Sequence, residues 1–234
     1  MQIRLLPNLS LPKPAAVMAL LLLLCPTAGK AAPASDYLCE DKRSLTDLET
    51  QRWYPEEFPL KVHIPAVPYQ VKQPKMYLPL VKEAFAAWAK PFKAIRFVYV
   101  DQPEQADILI EWKEYFDVGA WGMAHLPYLY TDATGKVRHH STVYLAVNAQ
   151  PGSVFNPETK VLFSYHELLA IAKHEVGHAI GLGHSKGDMD LMGPQGYGFL
   201  SKSVFQASKR DIQTLLRLYR LPRKLKQHPC EQGA

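Results

Sequence analysis

The sequence predicts an α+β domain: a small, twisted, mixed sheet of five strands, a helix that carries a histidine cluster, and a closing C-terminal helix. Three observations carry this expectation. Five short apolar runs of strand length are separated by turn signals, with one amphipathic helical stretch among them. A longer segment opens on a capping pattern and carries two histidines four residues apart. A further amphipathic stretch ends just before a basic tail. The 234 residues, 47% hydrophobic and 21% charged, are enough for one domain with a real core.

Taken in order, residues 1–34 read as a secretory leader. Arg4 and Lys13 precede an apolar run from Ala15 to Cys25, and Ala32-Pro33-Ala34 supplies a small-residue cleavage pattern before Ser35. An eleven-residue run is short for a membrane span, so no stable anchor is expected. Three of the 27 basic residues and none of the 22 acidic ones lie in this leader. The remainder carries 24 basic against 22 acidic groups, a net of +2. The high overall pI therefore belongs largely to the leader, and a nucleic-acid partner is not expected.

Residues 35–52 read as a polar N-terminal arm, with Trp53 and Tyr54 placed to tuck it against the body. Phe58–Ile64 alternates as a first strand, ended by Pro65. Pro79–Lys90 is a helix with Leu80, Ala84, Phe85 and Trp88 on one stripe, and Pro91 ends it. Strands follow over Ile95–Val100 and Ala106–Trp112, then an aromatic edge strand over Val118–Tyr130. Val137–Asn148 is the fifth strand, with a turn at Pro151-Gly152. Ser164 and Glu167 make a capping box for the next helix, whose Leu169, Ala172, Val176 and Ile180 point away from its histidines. Ser208 caps the last helix, to about Leu221, with Ile212, Leu215, Leu216 and Tyr219 facing the core. A domain over 53–221 and a C-terminal tail over 222–234 complete the chain, with the basic run Arg223–Lys226 read as solvated.

The chemistry concentrates in His174-Glu175-Val176-Gly177-His178-Ala179-Ile180-Gly181-Leu182-Gly183-His184. On a helix, His174 and His178 share a face, about 6 Å apart along the axis. His184 would lie about 15 Å from His174 along the same helix, too far to share a metal with bonds of about 2.0–2.1 Å. All three converge only if the helix stops and the chain folds back, and Gly181 stands where a left-handed ending is wanted. Three neutral imidazoles make an open zinc site with a fourth position for water, whose pKa such an ion lowers to about 7. Glu175 is placed as the general base.

This pattern, His-Glu-x-x-His-x-x-Gly-x-x-His, resembles the metzincin signature. Met192, eight residues after His184 within Asp188-Met189-Asp190-Leu191-Met192-Gly193-Pro194, resembles the methionine turn of the matrixin branch, and Ser185 is also what matrixins carry. Gly193 stands where matrixins often have Tyr. Ala106-Asp107-Ile108 and Gly122-Met123-Ala124-His125-Leu126-Pro127 are similar to matrixin segments in the first half of the domain. The resemblance implies a zincin-like fold and a secreted or periplasmic, monomeric zinc endopeptidase that acts on extended polypeptides. In it Ala124 lies on a peptide-docking edge strand. Pro194 and Tyr197 line the pocket wall beyond the cut bond. An exported module that binds zinc and recognises peptides without cutting them is the alternative.

One catalytic Zn2+ is expected. His125 matches a histidine that holds a second, structural zinc in animal matrixins, but its partner ligands are missing, and no acidic loop suggests calcium. His63, His166 and His228 read as surface or capping residues. Of the three cysteines, Cys39 and Cys230 lie beyond the leader, and in an exported chain they most simply form one disulfide. The other reading makes Cys39 a thiol that caps the zinc. Leu38-Cys39-Glu40-Asp41 lacks the Pro-Arg-Cys-Gly context of matrixin propeptides, which favours the disulfide.

Overall fold

The computed structural model describes residues 36–231 except 70, 72, 118–119, 133, 151–160 and 194–205. The leader, the turn at Pro151-Gly152, and the candidate wall residues Pro194 and Tyr197 lie outside the described residues.

Four parallel strands form the body of the sheet: β1 (Leu60–His63), β2 (Phe97–Tyr99), β3 (Ile108–Lys113) and β6 (Val137–Ala146). The order is β2-β1-β3-β6-β4, with β4 (Gly122–Ala124) antiparallel to the second half of β6. β5 (Tyr128–Thr131) pairs antiparallel with the first half of the same long strand. The single edge strand expected over 118–130 is therefore two short strands laid end to end along β6. Pro127, which has no N–H to give to a ladder, stands in the break between them. The α+β reading holds, with a sixth strand where five were expected. β7 (Asn148–Gln150) and β8 (Val161–Leu162) add a small separate ladder.

The period-two pattern puts one face of the sheet into the core: Leu60 and Val62 of β1, and Ile108, Ile110 and Trp112 of β3, are buried while Lys61 and Glu111 face out. On that face lies α2 (Tyr77–Ala89), with Leu80, Val81, Ala84, Phe85 and Trp88 buried. It starts two residues before the expected Pro79, because a proline in a first turn costs no helix hydrogen bond. α2 packs against α3 (Tyr165–Ala179), and the Trp88 indole donates to the Lys173 carbonyl at 2.8 Å. Ser164 and Glu167 form the expected reciprocal capping box. Every residue of α3 from Leu168 to Ala179 is buried.

The arm and tail are more structured than their composition suggests. α1 (Leu45–Thr50) is a short helix capped by Ser44 and Asp47. Its Leu48 joins Leu38 and Leu218 in a second small core. That core lies on a side of α4 (Lys209–Arg220) that the sequence reading left out. Leu215 and Leu218 are fully buried, while Ile212 and Tyr219 are partly buried against the main core. The helix is covered on two sides, by the body and by the arm. Arg52 donates to the carbonyls of Leu218, Leu221 and Pro222 at 3.0, 2.7 and 2.5 Å, and the Trp53 indole donates to Ala179 O at 2.8 Å.

Cys39 and Cys230 form a disulfide that spans 191 residues of sequence. Cys39 is thus not a free thiol, and the zinc-capping alternative does not apply to it. The basic run at Arg223, Lys224 and Lys226 is exposed, as expected, but the backbone and Leu225 are docked on the body. Leu225 N donates to Glu49 at 2.7 Å, Arg223 pairs with Glu56 at 3.0 Å, and Leu225 packs on the second core. The charged ends of Arg223 and Lys224 do stay in solvent. The expected surface or capping histidines are tied locally or exposed: His63 faces Val100 O at 3.1 Å, His228 faces Arg43 O at 2.8 Å, and His166 is exposed.

Candidate metal centre

α3 supplies two histidines from one face and then stops. Gly181 N donates to His178 O at 2.8 Å and Leu182 N to Gly177 O at 3.0 Å, the paired bonds of a glycine-ended helix. Gly181 has φ +96°, a region that glycine enters freely and other residues resist. The chain then folds back and brings His184 to the same point.

The three Nε2 atoms converge. His178 Nε2 lies 3.1 Å from that of His174 and 3.2 Å from that of His184. Tetrahedral zinc with bonds of about 2.0–2.1 Å places its ligand nitrogens about 3.3 Å apart, so the donor set fits. Among the described residues this is the one group of three or more His, Cys, Asp or Glu side chains within reach of a single ion. The ring tautomers also fit. His174 Nδ1 faces Leu191 O and His178 Nδ1 faces Leu182 O, each at 2.7 Å. A proton on each Nδ1 donates to that carbonyl and leaves the Nε2 lone pair pointing inward. Burial pushes His174 down to about 4 and His178 well below its ordinary value, and it lowers His184 as well. Low pKa values keep the rings neutral, which is the form a metal needs.

Glu175 stands beside this cluster, 7% exposed, and burial pushes its carboxyl up to about 8. Its position depends on Gly122 of β4, for which the sequence reading had assigned no role. A Cβ on Gly122 would come within 2.6 Å of Glu175 Cγ and 2.7 Å of its Oε1. The missing side chain lets the carboxyl lie directly against the edge strand. Met123 and Ala124 follow on that strand, with Met123 exposed. Ala124 is half-buried and packs against the core. A carboxyl, a histidine cluster that could hold a metal and a strand edge are thereby brought together.

Beneath the cluster, Met192 packs where Gly177 has no side chain. Ser185 N donates to Met192 O at 2.8 Å, so the turn returns directly under His184. Two acids hold this turn, and neither was singled out as a site residue from the sequence. Asp211, fully buried at the start of α4, accepts from Leu191 N at 2.8 Å, Met192 N at 3.3 Å and the Tyr37 hydroxyl at 2.8 Å. Asp190 accepts from Ser185 Oγ, from Ser208 Oγ at 2.6 Å and from Arg210 at 2.6 Å. The Ser208-x-x-Asp211 capping spacing was a legible signal for one of them.

The remaining candidates sit apart from this cluster. His125 meets the rings of Tyr128 and Tyr144 edge-on. His139 is buried against Glu57, with its Nδ1 at 2.8 Å.

Comparison with known proteins is consistent with this arrangement. The matrixin family model matches residues 53–220. The chain is 31% identical over 105 residues to matrix metalloproteinase-26 of Homo sapiens, a match that takes in 44% of this chain and 39% of that protein. The match thus spans about two fifths of that relative's length.

Proposed function

The chain belongs to the matrixin family, and from that premise and the site geometry we propose that it is a zinc-dependent endopeptidase acting on extended polypeptides. The observation that carries the reading is the convergence of three Nε2 atoms beside a buried carboxyl that lies against β4, the last strand of the sheet among the described residues. His174, His178 and His184 would hold the ion. A bound zinc ion supplies polarisation of a carbonyl and acidification of a water.

The protein's own groups do the rest. Glu175 takes the proton of the attacking water and returns it to the leaving amine, for which a carboxyl with a raised pKa is suited. The outer edge of β4 pairs with substrate backbone and so selects extended peptides with little demand on sequence. Met192 and the Leu191 carbonyl hold the histidines from below.

Export fits the disulfide, which persists in oxidising compartments, and the apolar segment at Ala15–Cys25 as a leader. No helix among the described residues is long and apolar enough to cross a membrane.

The test is Glu175→Ala. Cleavage of casein or of a peptide library is expected to disappear while one zinc per chain is retained by metal analysis. Cleavage at a rate comparable to the unaltered protein overturns the assignment of the base. Tight peptide binding by a zinc-loaded, unaltered protein that cuts nothing favours a recognition module instead.

A further inference from the structure

The sheet edge beside Glu175 does not end with β4. β5 continues it along the same long strand, β6. From Ala124 to Tyr128 the chain advances four residues, while their partners in β6, Val143 and His140, are three apart. One residue too many on one strand is a bulge, and here it falls at Leu126-Pro127. The ladder is held up to that point: His125 N donates to Thr142 O at 2.9 Å, and Ser141 Oγ donates to His125 O at 2.7 Å. Pairing resumes at Tyr128.

Residues of an antiparallel ladder alternate between those bonded to the partner strand and those whose peptide groups point away from it. On β4 the bonded set is fixed by Trp121 O, which accepts from Ala146 N at 3.1 Å, and by His125 N. Met123 alternates with the same set, so Gly122 and Ala124 turn their N–H and C=O outward. At the hairpin end of β5, Asp132 N donates to Lys136 O at 2.9 Å. Tyr128 and Tyr130 alternate with it, so Leu129 and Thr131 turn theirs outward. Among the described residues β4 and β5 each pair with β6 alone.

The side chains point the same way. Edge strands are usually blunted by charge or proline, and β5, Tyr128-Leu129-Tyr130-Thr131, has neither. Paired residues share a face of the sheet. Ala124 pairs with Val143 and Leu129 with His139, and both partners are buried. Leu129 therefore stands on the same face as Ala124 and Gly122, the face against which Glu175 lies, and it is 48% exposed.

We propose that β5 is a second docking strand for the same polypeptide substrate. The substrate backbone pairs with β4 beside Glu175, crosses the bulge at Leu126-Pro127 and pairs again at Leu129 and Thr131, where an apolar substrate side chain packs on Leu129. This rests on the endopeptidase reading above. Gly122 and Thr131 are nine positions apart, so the full edge takes roughly 30 Å of extended peptide. The substrate class is then a long extended segment with an apolar residue several positions from the cut bond.

The test uses the zinc-loaded full chain and two series of fluorogenic peptides with one common cleavable centre, lengthened on one side of the cut bond or on the other. The value of kcat/KM is expected to rise roughly ten-fold over the last residues added on one side only, the order that one or two backbone hydrogen bonds supply. N-methylation of a peptide amide in that added segment is expected to abolish the gain. Leu129→Pro tests the protein's half of the pairing. It removes an outward N–H and no bond of the β5–β6 ladder, and its fold is checked by the thermal midpoint. The length gain is expected to vanish in this variant. A kcat/KM that rises with length on neither side overturns the proposal, as does a gain that survives N-methylation or that persists in folded Leu129→Pro. Should Leu129→Pro fail to fold, the length series and the N-methylated peptides decide with the unaltered protein. Failure of that protein to cut any peptide of either series overturns the endopeptidase reading, whereas cleavage that ignores length overturns only the role of β5.

Discussion

At the scale of single residues, the site depends on absent side chains as much as on present ones. Gly122 has Glu175 where its Cβ would be. Gly122→Ala is expected to push the carboxyl aside and lower peptide cleavage by about 100-fold, the order of loss that a misplacement of about 1 Å produces. Zinc content by metal analysis should not change, because no histidine moves. A variant with normal cleavage shows that the carboxyl has room to adapt. The histidines carry a pH dependence of known sign. Burial depresses the folded-state pKa of His174 from 6.5 to about 4. The unfolded chain therefore binds a proton that the folded chain refuses between those values. The His174 contribution to the stability of metal-free protein is present above pH 6.5 and is lost as pH falls towards 4. Urea midpoints of chelator-treated protein across this window should fall, and the fall should be smaller in His174→Asn.

At the scale of elements, the capping boxes of α3 and α4 have the same pattern but different weight. Ser164 sits exposed at the start of α3 and serves that helix alone. Ser164→Ala is expected to cost about 1 kcal/mol in urea unfolding, the usual worth of an N-cap. Asp211 caps α4, but it also accepts from two amides of the methionine turn and from Tyr37. Asp211→Ala leaves several buried donors unpaired, each worth about 1–3 kcal/mol. A loss of about 3 kcal/mol or more is expected, together with weaker zinc binding. If the two substitutions cost the same, Asp211 is only a cap. The pattern Ser-x-x-acid was legible in both places because a cap is local. That one of the two acids also holds the turn beneath the histidines was not legible, since its partners lie about 20 and 174 residues away in sequence.

At the scale of the whole molecule, the arm and tail clamp α4 and the metal-site loop from outside the main sheet. The disulfide closes them together across 191 residues of sequence. Loss of the bridge in a Cys39→Ser, Cys230→Ser double variant is expected to cost about 2–4 kcal/mol in urea unfolding, the range usual for native disulfides. Unchanged stability would mean that the arm docks through its other contacts alone.

What the sequence determined by itself is everything set by short spacing. Histidines at i and i+4, a glycine stop, caps at Ser164 and Ser208, period-two strands and the aromatic helix stripe follow from local backbone geometry, and each is present in the fold. The Pro127 break in the edge strand was also written locally, although the reading passed over it. Only the tertiary structure decided which distant residues pack together. Gly122 lies 53 positions before Glu175, Asp41 lies 142 before Gly183, whose missing side chain leaves it room, and the face of α4 that holds Leu218 is covered by Leu38 and Leu48 of the arm. No periodicity joins such residues. Their proximity follows from the parallel sheet order, the fold-back after Gly181 and the clamp of the arm, which are properties of the packed chain as a whole.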